Sequence, residues 1–218
     1  MKDKLILIGS TGGIGKQISP MLSGDFNVVG VGSKDIDVCN LPNLKDFFDL
    51  HKDAKVVINM AGISHNKFLH KYADDEAALS AQININCLGA VNIAAACLPA
   101  MRAQGYGRII MMSSVLSEMP VMGAGIYSAC KGFIDNLVKS IALENGNKGI
   151  TANSVQLGYF DAGLLYTIPE EQREVIKKSI ALNRWGNISE LHKLIKTLIE
   201  VEYLTGTNQK LNGGIYFN

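Results

Sequence analysis

"KLILIGSTGGIG", residues 4–15, runs four large apolar side chains straight into a cluster of glycines. An unbroken apolar run of this length, with no polar alternation, suits a strand covered on both faces. Gly9, Gly13 and Gly15 are spaced G-x-x-x-G-x-G where the pattern changes from strand to helix. Glycines let a backbone approach a ligand closely, and the first turn of a helix aims amide donors at an anion. A phosphate-binding turn between a first strand and a first helix is the reading of this stretch.

Outward from that turn the chain keeps alternating. Strands are predicted over 4–9, 26–32, 55–62, 107–114, 149–156 and, briefly, 209–211. Helical patterns follow the glycine turn, interrupted near Pro20, and recur over 43–51, 75–102, 125–145, 169–181 and 189–201. The stretch "SKDIDVCNLPN", residues 33–43, is too short for a second crossover helix, which is either missing or reduced to a turn. Strands separated by helices of ten or more residues predict βαβ crossovers and a parallel sheet covered on both faces. The expected fold is α/β, a doubly wound parallel sheet forming one domain over residues 1–218, with no internal repeat or linker.

The bulk properties narrow the function. The 218 residues are 47% hydrophobic and 19% charged, a globular balance, and the net charge of +1 gives no electrostatic case for nucleic acid or an anionic membrane. The opening "MKDKLILIGSTGG" meets glycine too early for a signal peptide, and no later run reaches 18 uninterrupted apolar residues. A cytoplasmic protein without a membrane partner is expected. Cys39, Cys87, Cys97 and Cys130 are scattered without a C-x-x-C pair, so reduced, buried thiols and no metal site are expected.

In a doubly wound sheet the second strand ends at the group that reads the adenosine ribose. Here that tip is Gly32-Ser33-Lys34-Asp35, with no carboxylate at the strand end. Ser33 can donate to a 2′-phosphate and Lys34 can neutralise it, so NADP(H) is favoured over NAD(H).

The most informative stretch is "SSVLSEMPVMGAGIYSACK", residues 113–131. Tyr127 and Lys131 stand four apart in a helical pattern and so share a face. Unit charges ~4 Å apart at an effective dielectric of ~20 interact by ~4 kcal/mol, enough to lower a phenol pKa by ~3 units. Lys131, with an oxidised nicotinamide, would thereby bring Tyr127 into range as a general acid for the oxygen that receives a hydride. Ser114 ends a buried strand at the sheet edge where ligands bind, able to orient that oxygen, while Ser113 points to the opposite side.

Taken together, these motifs resemble the short-chain dehydrogenase/reductase family, in particular its single-domain ketoacyl-carrier-protein-reductase-like members, with a Rossmann fold. The likeness runs through "GSTGGIG", "NMAG" (59–62), "ININCLGA" (83–90), the Ser114–Tyr127–Lys131 set and "LTGTNQKLNGG" (204–214). It implies that Asn86, Ser114, Tyr127 and Lys131 are catalytic, Asn86 holding a water that relays protons to Lys131. For the cofactor it implies Gly9, Thr11, Gly13, Ile14 and Gly15 at the phosphates and Ser33, Lys34, Asp37 and Val38 at the adenosine. Asn59, Ala61 and Gly62 would line the adenosine pocket, while Tyr127, Lys131 and Gly158 complete the set, Lys131 bonding the nicotinamide ribose. The implied activity is NAD(P)H-dependent interconversion of a ketone or aldehyde and an alcohol, by a homodimer or homotetramer paired through helices 75–102 and 125–145.

The sequence departs from the family pattern at three places. Ile8 stands where Thr usually opens the glycine turn, Leu157-Gly158 replaces the usual Pro-Gly, and Ala162 replaces the Thr that binds the carboxamide. Backbone groups or Asp161 would then hold the carboxamide. Oxidation of a sugar or polyol, or a catalytically idle dinucleotide sensor, are the alternative functions. Substrate identity would be set by 115–122 and 159–181, where Met119, Met122 and Leu164 suggest an apolar lining.

Overall fold

A computed structural model describes residues 2–216. Strand β1 (Lys4–Ile8) leads into α1 (Gly13–Asp25) and β2 (Asn27–Val31), then α2 (Leu41–Leu50) and β3 (Val56–Asn59). The chain continues through α3 (Glu76–Ile83) and α4 (Gly89–Gln104) to β4 (Gly107–Ser114), then α5 (Gly125–Asn145) and β5 (Ile150–Leu157). Helices α6 (Glu170–Ser179) and α7 (Ile188–Glu200) precede β6 (Asn208–Leu211). All described pairings are parallel, and the six strands lie in the order β2-β1-β3-β4-β5-β6.

That order places the site. The chain steps from β1 outward to β2, then crosses back over β1 to β3, so the direction of winding reverses between β1 and β3. Ligands of open α/β sheets bind beyond the carboxyl ends of the strands flanking such a reversal. The return crossover is α2, a ten-residue helix and the one expected over 43–51; it serves as the crossover itself, which corrects the expectation that this helix is missing or reduced to a turn. Asn40 caps it, accepting from Asn43 N at 3.1 Å, and Pro42 sits in its first turn, so the helix starts almost as soon as the turn after β2 ends.

The unbroken apolar strands divide their side chains between two cores. Ile6, Ile8, Val57, Ile109 and Met111 meet α2, α4 and α5 on one face. Leu5, Leu7, Val56, Ile58, Ile110 and Met112 meet α1 and α7 on the other. On α7, Leu191, Ile195 and Leu198 are fully buried, and Asn187 with Glu190 forms a capping box at its start. Leu191→Ala should cost about 2–5 kcal/mol, read as a lower urea midpoint at unchanged slope; a cost under ~1 kcal/mol would contradict the packing.

Two helices differ from expectation. Helix α1 runs unbroken through Pro20, which lies on the exposed side with Lys16, so water can satisfy the carbonyl that proline leaves without a donor. The rod predicted over 75–102 extends to Gln104, where Gly105 closes it in the left-handed region (φ 67°). It also widens into a π-turn over Asn84–Leu88. By length and mean hydropathy (1.5 over its most apolar window) the rod Glu76–Gln104 could cross a bilayer. Its buried face, with Ile93, Ala94, Cys97 and Met101, is instead part of the α2/α4/α5 core.

Candidate active site

The glycine turn is as tight as its composition demands. Gly9 has φ +85°, and a β-carbon there would lie 2.8 Å from the Ala61 amide nitrogen at the end of β3. A β-carbon on Gly15 would lie 2.1 Å from the Gly9 carbonyl oxygen. The turn is held by Gly9 N and Ser10 N, which donate to Val31 O at 2.8 and 3.0 Å. No side chain caps α1 and no acid sits in its first turn, so the amides at its start, around Gly13 and Ile14, remain donors for an anion. Thr11 packs against Gly32, where a β-carbon would come within 2.1 Å of its Oγ1. Ile8, at the position the family gives to threonine, is core.

Gly163 is a neighbour of the turn that sequence reasoning missed. A β-carbon on Gly13 would stand 2.3 Å from the Gly163 Cα, so the short helical turn Gly163–Thr167 lies directly against the glycine turn. Spacing of 150 residues gives no local signal for such a contact. Of the candidates for the carboxamide, Asp161 accepts from the Tyr166 hydroxyl, and the Ala162 amide donates to Phe160 O at 2.7 Å. Gly158 is required by the close passage of Asn212, whose Cα would lie 2.7 Å from an added β-carbon.

At the tip of β2, Ser33 and Lys34 are exposed on a turn. Asp35 bends back and accepts from Gly32 N at 2.8 Å, which commits that carboxylate to the backbone. Asp37 is exposed and accepts from Cys39 N at 2.9 Å, a local turn contact. Val38 is buried against Gly89, and its carbonyl accepts from Asn92 at 3.0 Å. Asn59 is buried and accepts from Ala61 N at 3.0 Å, shaping the strand end next to Gly9.

Beside the turn, four side chains from three elements converge. Ser114, the last residue of β4, lies beside the Tyr127 phenol on the first turn of α5, favouring its ionised form, and accepts from Leu116 N at 3.2 Å. Ser113 points the other way, donating to Lys131 O at 3.2 Å. Lys131 is buried; its Nζ donates to Met112 O at 2.9 Å and lies 5.4 Å from the Tyr127 ring centroid. Asn86 sits inside the π-turn, donating to Ile63 O at 2.9 Å and to Gln82 O at 2.8 Å, and accepting from Ile63 N at 3.3 Å. A β-carbon on Gly62 would lie 2.7 Å from Asn86 Oδ1 and 3.4 Å from Lys131 Nζ, so the two flank that glycine.

Burial pushes the Tyr127 phenol up to about 12, partly opposed by Ser114. Burial likewise pushes the Lys131 ammonium down to about 8. In the chain alone the lysine is turned onto a carbonyl and the face of the Tyr127 ring.

A buried phenol beside a strand-end hydroxyl thus stands next to an uncapped helix start at a winding reversal, where ligands of open α/β sheets bind. Residues 35–216 match a family described as enoyl-(acyl carrier protein) reductase. The chain is similar to 3-oxoacyl-(acyl-carrier-protein) reductase of Pseudomonas aeruginosa, 33% identical over 75% of this chain and 66%, a little under two thirds, of that protein. It is 33% identical to the acetoacetyl-CoA reductase of Shinella zoogloeoides over 74% of this chain and 68% of the relative. Against the 3-oxoacyl-(acyl-carrier-protein) reductase of Haemophilus influenzae it is 27% identical over 100% of both. The chain belongs to the short-chain dehydrogenase/reductase family.

Proposed function

We propose that the protein reduces a ketone or aldehyde to an alcohol with a nicotinamide dinucleotide, Tyr127 giving the proton. The carrying observation is the phenol held between Ser114 and the Lys131 side of α5, at the sheet edge beside the glycine turn. The cradle fits a dinucleotide: β-carbons would fill the turn at Gly9 and Gly15, and the start of α1 has no other anion. Gly9, Thr11, Gly13, Ile14 and Gly15 would hold its phosphates. Ser33, Lys34, Asp37 and Val38 would take the adenosine with Asn59, Ala61 and Gly62, leaving Lys131 and Gly158 for the nicotinamide end. Bound there, the cofactor supplies the hydride. Ser114 orients the carbonyl oxygen, and Tyr127 protonates it as charge develops. Burial keeps the phenol protonated at neutral pH, so it is a donor before it is a base. Lys131 and Asn86, flanking Gly62, would return the proton to Tyr127, Asn86 holding the relay water.

The relatives' names place 3-oxoacyl compounds first among carbonyls to assay. Purified protein should consume NADPH with acetoacetyl-CoA; no turnover across ketones and aldehydes while NADPH still binds would favour a sensor. Exposed Lys34 beside Ser33 supports NADP(H). NADPH should exceed NADH in kcat/KM by about tenfold or more, and Lys34→Glu should erase that margin; an NADH preference in the wild type would overturn it. The proposal includes a cytoplasmic homodimer or homotetramer, supported by exposed Leu88, Val91 and Phe133 on the α4 and α5 side.

A further inference from the structure

Cysteines that look scattered in sequence meet in space. Cys87 lies in the π-turn immediately after Asn86, and Cys130 lies on α5 immediately before Lys131. Cys130 Sγ reaches the Gln82 carbonyl, 3.9 Å away at the foot of the turn that carries Cys87, and the two thiols adjoin, each the first influence on the other's ionisation. Cys130 is 3% exposed, whereas Cys87 is only half-buried and within reach of a small oxidant. This replaces the expectation of four unrelated buried thiols.

We propose that Cys87 and Cys130 form an oxidation site at which a hydroperoxide closes a disulfide and switches the neighbouring catalytic groups off. The pair divides the labour. The adjoining Cys130 thiol, and then the charge of Lys131, hold the Cys87 thiol below its usual range, while Cys87 and burial keep the proton on Cys130. The Cys87 thiolate attacks a peroxide oxygen, forming S–O and breaking O–O. The leaving oxygen takes up a proton and departs as water from hydrogen peroxide. The Cys130 sulfur then attacks the Cys87 sulfur, forming S–S and breaking S–O, and its proton leaves on the expelled hydroxide as water. Two thiols and one hydrogen peroxide thus become one disulfide and two waters.

The remaining cysteines lack this arrangement. Burial pushes Cys97 up to about 12, and burial with Asp37 raises Cys39. A disulfide needs sulfurs ~2 Å apart, so closure pulls the π-turn and α5 together at the residues adjoining Asn86 and Lys131. Displacements of ~1 Å in such positions cost about 10²-fold in rate. The bond itself is independent of the reductase reading; the inhibition rests on it.

The test is peroxide titration of the reduced protein, followed by non-reducing peptide mass analysis and carbonyl-reductase assay. Expected are one Cys87–Cys130 cross-link lacking two hydrogens, a tenfold or greater fall in kcat, and recovery of both with dithiothreitol. Cys87→Ser should keep its activity under peroxide, and Cys130→Ser should stop at oxidised Cys87 without a cross-link. A cross-link through Cys39 or Cys97, oxidation of Cys87 alone in the wild type, or a cross-link that leaves kcat unchanged would each overturn the proposal. If the wild type reduces no carbonyl but the cross-link forms, the reductase reading and its inhibition fail while the oxidation site stands.

Discussion

Tyr127→Phe should lower kcat for carbonyl reduction on the order of 10³-fold, about 4 kcal/mol in the barrier, with NADPH affinity within ~2-fold of wild type. The change removes one oxygen and leaves the ring in place. Ser114 still accepts from Leu116 N, so its geometry survives the loss of its phenol partner. The ring also remains over Lys131, keeping that contact. What disappears is the proton donor alone, so the loss belongs in kcat and not in cofactor binding. Retention of more than a tenth of wild-type kcat would mean that another group donates the proton.

Lys131→Met is expected to give the second large effect, with opposite signs on activity and on folding. Activity should fall by about 10²-fold or more, since the charge near the phenol and the group that returns its proton are both removed. Stability should rise. Burial depresses the folded-state pKa of Lys131 from 10.5 to about 8, so below pH 8 the ammonium is charged in both states and carries its full desolvation cost when folded. Between pH 8 and 10.5 the unfolded lysine binds the proton more than the folded one, and wild-type stability gains as pH rises. The variant should therefore be more stable than wild type at pH 7, by about 1–3 kcal/mol, with the gap closing toward pH 10. Thermal melts of both proteins across that range check this, and a variant less stable at pH 7 would refute it. The group that tunes the site is one that the fold holds at a cost.

Much of this was legible in the residues. β4 and α5 fall at the bounds their patterns predict, because a run with four consecutive large apolar residues, Ile109–Met112, and a long amphipathic stretch each admit one local solution. The glycine turn was legible for the same reason: Gly9 and Gly15 clash with nearby backbone if given side chains. Contacts closed only by the tertiary fold were hidden. Gly163 meets Gly13, and Cys87 meets Cys130, across separations where no periodicity operates. Charge spacing along a helix also says nothing of the desolvation that raises the phenol or of the carbonyl that holds Lys131. Pro20 was misread because proline is disruptive only where its orphaned carbonyl is buried.

An α-helix turns about 100° per residue, so the wide turn over Asn84–Leu88 is a phase slip within an otherwise continuous rod. Before it, Gln82 is tied to His65 and Tyr72; beyond it, Ile93, Ala94 and Met101 are keyed to the sheet. The two halves therefore answer to different neighbours, and Asn86 stands on the joint between them. One residue gained or lost there would turn Gln82 and its partners against the rest of the rod, while the half that builds the core kept its register.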